Sequence, residues 1–272
     1  VSLAAGSGHT CAVLESGDVV CWGSNYSGQL GLGNTNAIGD DELVDAATGI
    51  VPLPGPVAEV VAGLEHTCAR LESGDVICWG RQAEGQLGTG EPDTIGDDEP
   101  VSGLGPIDLG GKAIDIDTYE NHVCAVLEGG GVRCWGSNGS GQLGNGDEAY
   151  NIVGERKTPA ESGVVMLEEP AVQVETGTSH TCAVLTNGSV RCWGSDTANG
   201  VPDTYGYSVV PFAAARVGVP VKWLSAGYNY NCAVLDSAGV RCWGGNDGSV
   251  LGNPMAEGTV KDASGLGDVD VF

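Results

Sequence analysis

Apolar and polar residues alternate over five short stretches: "VSLAAG" from Val1, "VAEVVAG" from Val57, "AIDIDTY" from Ala113, "AVQVETG" from Ala171 and "VKWLSAG" from Val221. A period of two predicts a strand with one buried face. Each stretch runs on into "CAVL" or the variant "CARL", then a turn, then "VVCWG", "VICWG" or "VRCWG". That combination reads as a β-hairpin rich in strand formers. With the first cysteine of each unit as a mark (Cys11, Cys68, Cys124, Cys182, Cys232), the steps are 57, 56, 58 and 50 residues. Self-similarity at such a period is the signature of a propeller or solenoid.

The stretches "IVPLPGPV", "GPIDLGG" and "VVMLEEP" are placed to add a fourth, outer strand, which completes the content of a propeller blade. The expected fold class is therefore all-β: a β-propeller in one domain, 1–272, with repeats at about 1–56, 57–112, 113–170, 171–220 and 221–267. The last residues, "DVDVF" (268–272), fall in the phase of "AIDID" and read as the first strand of a sixth repeat. They imply either a longer propeller or a strand offered to another chain.

Ser16 lies midway between Cys11 and Cys21, in a three-residue loop "ESG" that ends in glycine. Hairpin loops of that length end in a left-handed residue, which glycine adopts without strain. The register sets Cys11 directly across from Cys21, within disulfide reach. The same arithmetic pairs Cys68 with Cys78, Cys124 with Cys134, Cys182 with Cys192 and Cys232 with Cys242. In the fifth loop, "DSAG", the glycine comes one residue late, so a different turn with the same pairing is expected. Zinc ligands come in pairs two to four residues apart, whereas here the spacing is ten in every copy and no CxxC occurs. Five intra-repeat disulfides place the chain in an oxidising compartment, extracellular or at the cell surface.

Composition narrows the function classes. Glycine supplies 46 of 272 residues, as expected of many short strands joined by tight turns. With 36 acidic against 11 basic residues the net charge is −25. Such a polyanion cannot draw affinity from phosphate counterion release, which excludes nucleic acid as a partner. No apolar run reaches membrane-spanning length.

The only histidines, His9, His66, His122 and His180, all stand two residues before a first cysteine, and Tyr230 takes that place in the fifth copy. A catalytic histidine is needed once, so one per repeat reads as a packing or hydrogen-bonding element. Trp22, Trp79, Trp135, Trp193 and Trp243 each follow a second cysteine and read as one buried indole per blade. No HExxH, GxSxG, P-loop or solitary cysteine is present, and neither catalysis nor a cofactor is expected.

What differs between copies is the loop after each hairpin, long at 28–56, 85–112 and 141–170 and shorter at 196–220 and 244–266. Variable loops on a repeated scaffold are where recognition sits. Two loops share an acidic element: Asp40, Asp41 and Glu42 in "AIGDDELV", and Asp97, Asp98 and Glu99 in "TIGDDEPV". The third has "IVGERKTP" instead. Acidic triplets offer hard oxygen ligands for calcium, without the EF-hand spacing; the alternative is a solvated loop cap. Asn25, Asn138 and Asn187 head glycosylation triplets.

The run "AGxxHTCAVLESGxVxCWGSNxxGQLGxG" resembles the repeat of the regulator of chromosome condensation family. "WGSN" and "GQLG" stand at Trp22–Asn25 with Gly28–Gly31, and at Trp135–Asn138 with Gly141–Gly144. The second copy has "WGRQ" with "GQLG" at Gly85–Gly88, and the element decays to "ANGV" and "SVLG" in the last two. The resemblance implies a β-propeller, and the paired cysteines and "IGDDE" loops are similar to those of secreted bacterial members. The expected function is a secreted or cell-surface binding module that presents its loops to a protein or polysaccharide. The alternatives are a surface or matrix protein assembling through 268–272, and an enzyme with a site on one propeller face.

Overall fold

The computed structural model describes every residue except 1, 42, 45–48, 147–151, 196–206, 209, 212–214, 254–257 and 270–272. Five antiparallel sheets follow in chain order, one per repeat. The first contains β1 (Ser2–Ala5), β2 (His9–Val13), β3 (Val19–Gly23) and the two-residue β4 (Ile50–Val51). The second contains β5 (Val57–Ala62), β6 (His66–Leu71) and β7 (Val76–Gly80), and the third β8 (Ala113–Tyr119), β9 (His122–Leu127) and β10 (Val132–Gly136). The fourth has β11 (Ala171–Thr176), β12 (His180–Leu185), β13 (Val190–Ser195) and β14 (Tyr207–Ser208); the fifth has β15 (Val221–Ala226), β16 (Tyr230–Leu235) and β17 (Val240–Gly244). Only three short 3-10 turns interrupt this all-β content among the described residues.

By its internal contacts the chain divides into two compact units, and the boundary runs through the third repeat. The first unit comprises Val1–Val123, Trp135–Ser137 and Ile152–Ser162; the second comprises Cys124–Cys134, Asn138–Asn151 and Gly163–Phe272. Each has its own apolar core. In the first, Val19, Leu30, Val60, Ile77 and Trp79 are fully or nearly fully buried together. In the second, Val184, Val221, Leu224, Leu235 and Trp243 form the equivalent cluster. Branched and aromatic side chains at alternate strand positions suit a pleated, half-buried surface.

The register of β2 on β3 sets Cys11 opposite Cys21, and β6 on β7 sets Cys68 opposite Cys78. Cys182 faces Cys192 and Cys232 faces Cys242 in the same way. All five pairs, including Cys124 with Cys134, are disulfides with Cα atoms 4.0–4.1 Å apart. The short separation marks the non-hydrogen-bonded type of cross-strand pair, whose N–H and C=O groups turn away from the partner strand.

The hairpin turns differ from expectation in the fifth repeat. In the first, Leu14 N–H donates to Asp18 O (2.8 Å) and Gly17 N–H to Leu14 O (2.9 Å), with Gly17 left-handed at φ +84°. The fifth repeat makes the same turn, with Leu235 N–H donating to Gly239 O and Ala238 N–H to Leu235 O, both at 2.9 Å. Ala238 adopts φ +67° in the place of the glycine. A Cβ at Gly17 would lie 2.7 Å from Pro56 Cβ, the residue before β5, and one at Gly188 would lie 2.6 Å from Pro220 Cβ, before β15. Ala238 is exposed, so its methyl group fits although its backbone is strained.

The outer fourth strand is reduced. Besides the two-residue β4 and β14 it includes single backbone bonds: Ile107 N–H to Val76 O (2.8 Å), Val165 N–H to Val132 O (2.9 Å) and Ala215 N–H to Val190 O (3.0 Å). Pro106, next to Ile107, has no N–H to extend the ladder. Asp268 and Val269 hold a place their phase did not indicate. Val269 N–H donates to Val240 O (2.7 Å), the bond made by Ile107, Val165 and Ala215 in their own repeats. Val51, Ile107, Val165 and Ala215 each stand six residues before an inner strand's first residue, at Val57, Ala113, Ala171 and Val221. Val269 is therefore the outer-edge residue of the fifth repeat, paired within its own chain, and Asp268 is held by Arg241 (2.8 Å). The remainder of 268–272 lies outside the described residues.

Candidate functional site

The histidines expected to pack or hydrogen-bond join one repeat to the next. His9 Nε2 lies 2.8 Å from Thr67 Oγ1 in the following repeat, and that hydroxyl donates to Gln29 O at 2.8 Å. Its single proton is thereby used, so His9 carries its hydrogen on Nε2 and donates. His66 repeats the arrangement with Thr118 Oγ1 (2.9 Å), which donates to His122 O (2.8 Å). His180 Nε2 meets Asn231 Oδ1 at 3.1 Å. Burial pushes these imidazoles down, to about 4 for His9 and His180 and about 3 for His66, where His9 adds a smaller charge effect. They are neutral at ordinary pH and occupied as links.

The tryptophans close the same joint. Trp79 Nε1 donates to Gln29 O (2.9 Å), Trp135 to Gln86 O (3.0 Å) and Trp193 to Gln142 O (2.8 Å). Each acceptor is the glutamine carbonyl of the preceding repeat's "GQLG". The last glycine of that element lies under the indole: a Cβ at Gly31 would come 2.8 Å from Trp79 Nε1, and one at Gly144 closer still to Trp193. Four indoles are fully buried, whereas Trp22 is only half-buried. The expectation of one buried indole per repeat thus fails at the first.

The same motif anchors the roots of the variable loops. Asn25 Oδ1 accepts from Leu30 N–H (2.9 Å), and Asn138 Oδ1 does so from Leu143 N–H (3.2 Å). Gln82 and Asn246 repeat this with Leu87 (2.8 Å) and Leu251 (3.1 Å), so the fifth loop keeps the bracket although its letters have drifted. Asn25 and Asn138 are each 1% exposed, which removes them as glycosylation acceptors in the folded chain; Asn187 is exposed at a hairpin tip. These loop-anchoring roles were missed in the sequence. The signal was present as a side-chain amide five residues before a leucine.

Of the acidic elements, Asp40 and Asp41 are exposed and Glu42 lies outside the described residues. Asp97, Asp98 and Glu99 come together, with carboxylate oxygens within 4.8 Å of one another. Burial, and then a hydrogen bond with Asp98, raises the Glu99 carboxyl above its ordinary value. Glu99 Oε1 also accepts from Gly96 N–H at 3.3 Å. The segment has a structural duty as well: Ile95 exchanges both backbone bonds with Gly80, and Gly96 sits so close to Gly28 that a Cβ would meet its carbonyl at 2.7 Å.

Two models of the regulator of chromosome condensation (RCC1) repeat match, one at residues 1–29, 57–86, 113–142 and 171–200, the other at 16–70 and 129–184. The chain belongs to the RCC1 repeat family. Neither match reaches the fifth hairpin, where tyrosine replaces histidine and alanine the turn glycine. The ultraviolet-B receptor UVR8 of Arabidopsis thaliana is 31% identical over 192 residues, 71% of this chain and 40% of that protein. The probable E3 ubiquitin-protein ligase HERC4 of Homo sapiens is 32% identical over 196 residues, 71% of this chain and 17% of its own length. This RCC1-repeat chain thus spans well under half of those relatives. Among solved structures, human WBSCR16 superposes with a TM-score of 0.77 at 21% identity, covering 96% of this chain and 65% of that one. Prp20p of Saccharomyces cerevisiae gives 0.73 at 21% identity, covering 100% and 64%. These likenesses establish the β-propeller fold.

Proposed function

We propose that the chain is a non-catalytic binding module working outside the reducing cytoplasm, with its inter-repeat loops as the recognition surface. The observation that carries this reading is the division of labour within each repeat. Histidine, tryptophan, cysteine and the "GQLG" carbonyl are all used in internal joints, while the loops between Leu30 and Val57, and between Leu87 and Ala113, differ in sequence and charge. Five cysteine pairs support an extracellular or cell-surface location. Among the described residues no helix is long and apolar enough to cross a membrane. Interaction is also the theme of similar proteins: Prp20p is described by its binding to Gsp1p and histones, and in a second structure it is bound by Kap60. A net charge of −25 favours a partner with a basic surface and disfavours nucleic acid.

The test is capture on the immobilised chain from the source's secreted and surface proteins, together with a glycan array. A specific partner that is lost when the exposed loop carboxylates Asp40, Asp41, Glu91 and Asp93 are replaced by their amides supports the reading. Blanks in both experiments overturn it.

A further inference from the structure

The second repeat, described without interruption, has a gap in its outer edge. In β7 the groups turned away from β6 belong to Val76, Cys78 and Gly80. Val76 O accepts from Ile107 N–H (2.8 Å), and Gly80 exchanges bonds with Ile95 (2.7 and 3.1 Å). Cys78 lies between them with the same orientation, and among the described residues its backbone N–H and C=O have no hydrogen-bond partner. The first repeat shows how such a place is filled: Cys21 N–H donates to Gly49 O at 3.0 Å, just ahead of β4. In the second repeat no segment of the described residues bonds there.

What stands there is a cavity of about 490 Å³. Cys78 lines its floor, Ile95 and Ile107 bound it along the strand direction, and Leu104 and Pro106 give it an apolar wall. Four acidic residues also line it, Glu91, Asp93, Glu99 and Asp108, with no basic residue. A buried backbone donor and acceptor without partners are costly. An extended segment laid beside a strand edge satisfies both at once, with side-chain surroundings setting its identity. From Val76 to Gly80 the strand runs about 13 Å at about 3.3 Å per residue, room for about three residues of an occupant.

We propose that this gap docks a short extended segment of a partner protein bearing a lysine or arginine, whose carbonyl accepts from Cys78 N–H and whose cation lies among Glu91, Asp93, Glu99 and Asp108. The occupant completes the fourth strand as residues 49–51 do in the first repeat. The choice of a cationic side chain rests on charge complementarity with the lining. The proposal deepens the binding-module reading by naming the chemistry of one partner contact.

The probe is the pentapeptide acetyl-Thr-Val-Lys-Val-Thr-amide, titrated into the intact, oxidised chain in about 0.15 M salt, where the Debye length is about 8 Å. The readout is the amide resonance of Cys78. A saturable downfield shift of that amide is expected, with the lysine-to-glutamate peptide binding at least about tenfold more weakly. A Cβ at Gly105, which lines the cavity, would meet nothing within 4 Å, so Gly105→Trp leaves the fold intact and fills the space. It should abolish the shift with unchanged thermal stability. The pair Glu91→Gln and Asp93→Asn should weaken binding several-fold, while Asp40→Asn with Asp41→Asn, in another loop, should not. Equal binding of the two peptides, or a Cys78 amide unmoved at millimolar peptide, overturns the proposal. That failure would leave partner capture through other loops standing, so the two readings are separable.

Discussion

The indole N–H of Trp79 donates to the backbone carbonyl of Gln29, fifty residues earlier, at 2.9 Å. The same oxygen accepts the Thr67 hydroxyl at 2.8 Å, so both its lone pairs are used by the next repeat. Gln142 O serves Thr181 and Trp193 in the same way, both at 2.8 Å. The repeat interface is therefore latched by polar bonds buried within apolar packing, where each is costly to lose.

Trp79→Phe should destabilise the fold by about 1–3 kcal/mol, through the lost bond and the smaller ring. Trp22→Phe, at a half-buried indole with no such partner among the described residues, should cost under about 1 kcal/mol. Urea unfolding of both variants checks this, and equal costs would count against the latch.

Ala238→Gly should stabilise the chain by about 1 kcal/mol, because the alanine holds φ +67° in the turn. Gly17→Ala should destabilise by more than that, since its Cβ would add a 2.7 Å contact with Pro56 to the same backbone strain. Thermal melts of the two variants should move in opposite directions.

Stability should fall on acidification from about pH 6.5 towards 4. His9, His66 and His180 have folded-state pKa values near 4, 3 and 4, below the ordinary 6.5. The unfolded chain thus binds protons first. Their contribution is complete above pH 6.5 and is lost as pH drops through that window, by at most about 1.4 kcal/mol per pH unit for each histidine. Urea midpoints at pH 7 and pH 5 measure the slope, and a flat profile would contradict the buried neutral imidazoles.

Under a mild reductant at native conditions, Cys232–Cys242 should open first. Cys232 is half-buried and Cys242 is 7% exposed, whereas the cysteines of the other four pairs are at 0–2%. Alkylation followed by peptide mass spectrometry should show the fifth hairpin labelled before the rest. Simultaneous labelling of all five would mean that reduction requires global unfolding.

The hairpins and their five-fold recurrence were legible because alternation, glycine turns and tryptophan spacing are signals contained in some fifteen residues. Residues whose duties are hydrogen bonds formed only in the folded chain were harder to read. The histidines read as hydrogen-bonding elements from their recurrence, but their partners Thr67, Thr118 and Asn231 are seen only in the fold. Asn25 and Asn138 look like glycosylation sites until their amides are found bracketing Leu30 and Leu143. Phase alone assigned Asp268 and Val269 to an opening strand, because outer and inner strands share the same alternation; the hydrogen bond to Val240 distinguishes them.

The sequence by itself determined the strand alternation, the repeat, the family and the charge, since each depends on residues close together or on a simple sum. Tertiary structure decided which carbonyl each tryptophan reaches, why Trp22 differs from Trp79, why alanine is tolerated at 238 and why Cys78 lacks the partner that Cys21 has. The physical reason is that each of these is a hydrogen bond or a steric contact between residues about thirty or more positions apart. Such contacts exist only once the sheets have packed.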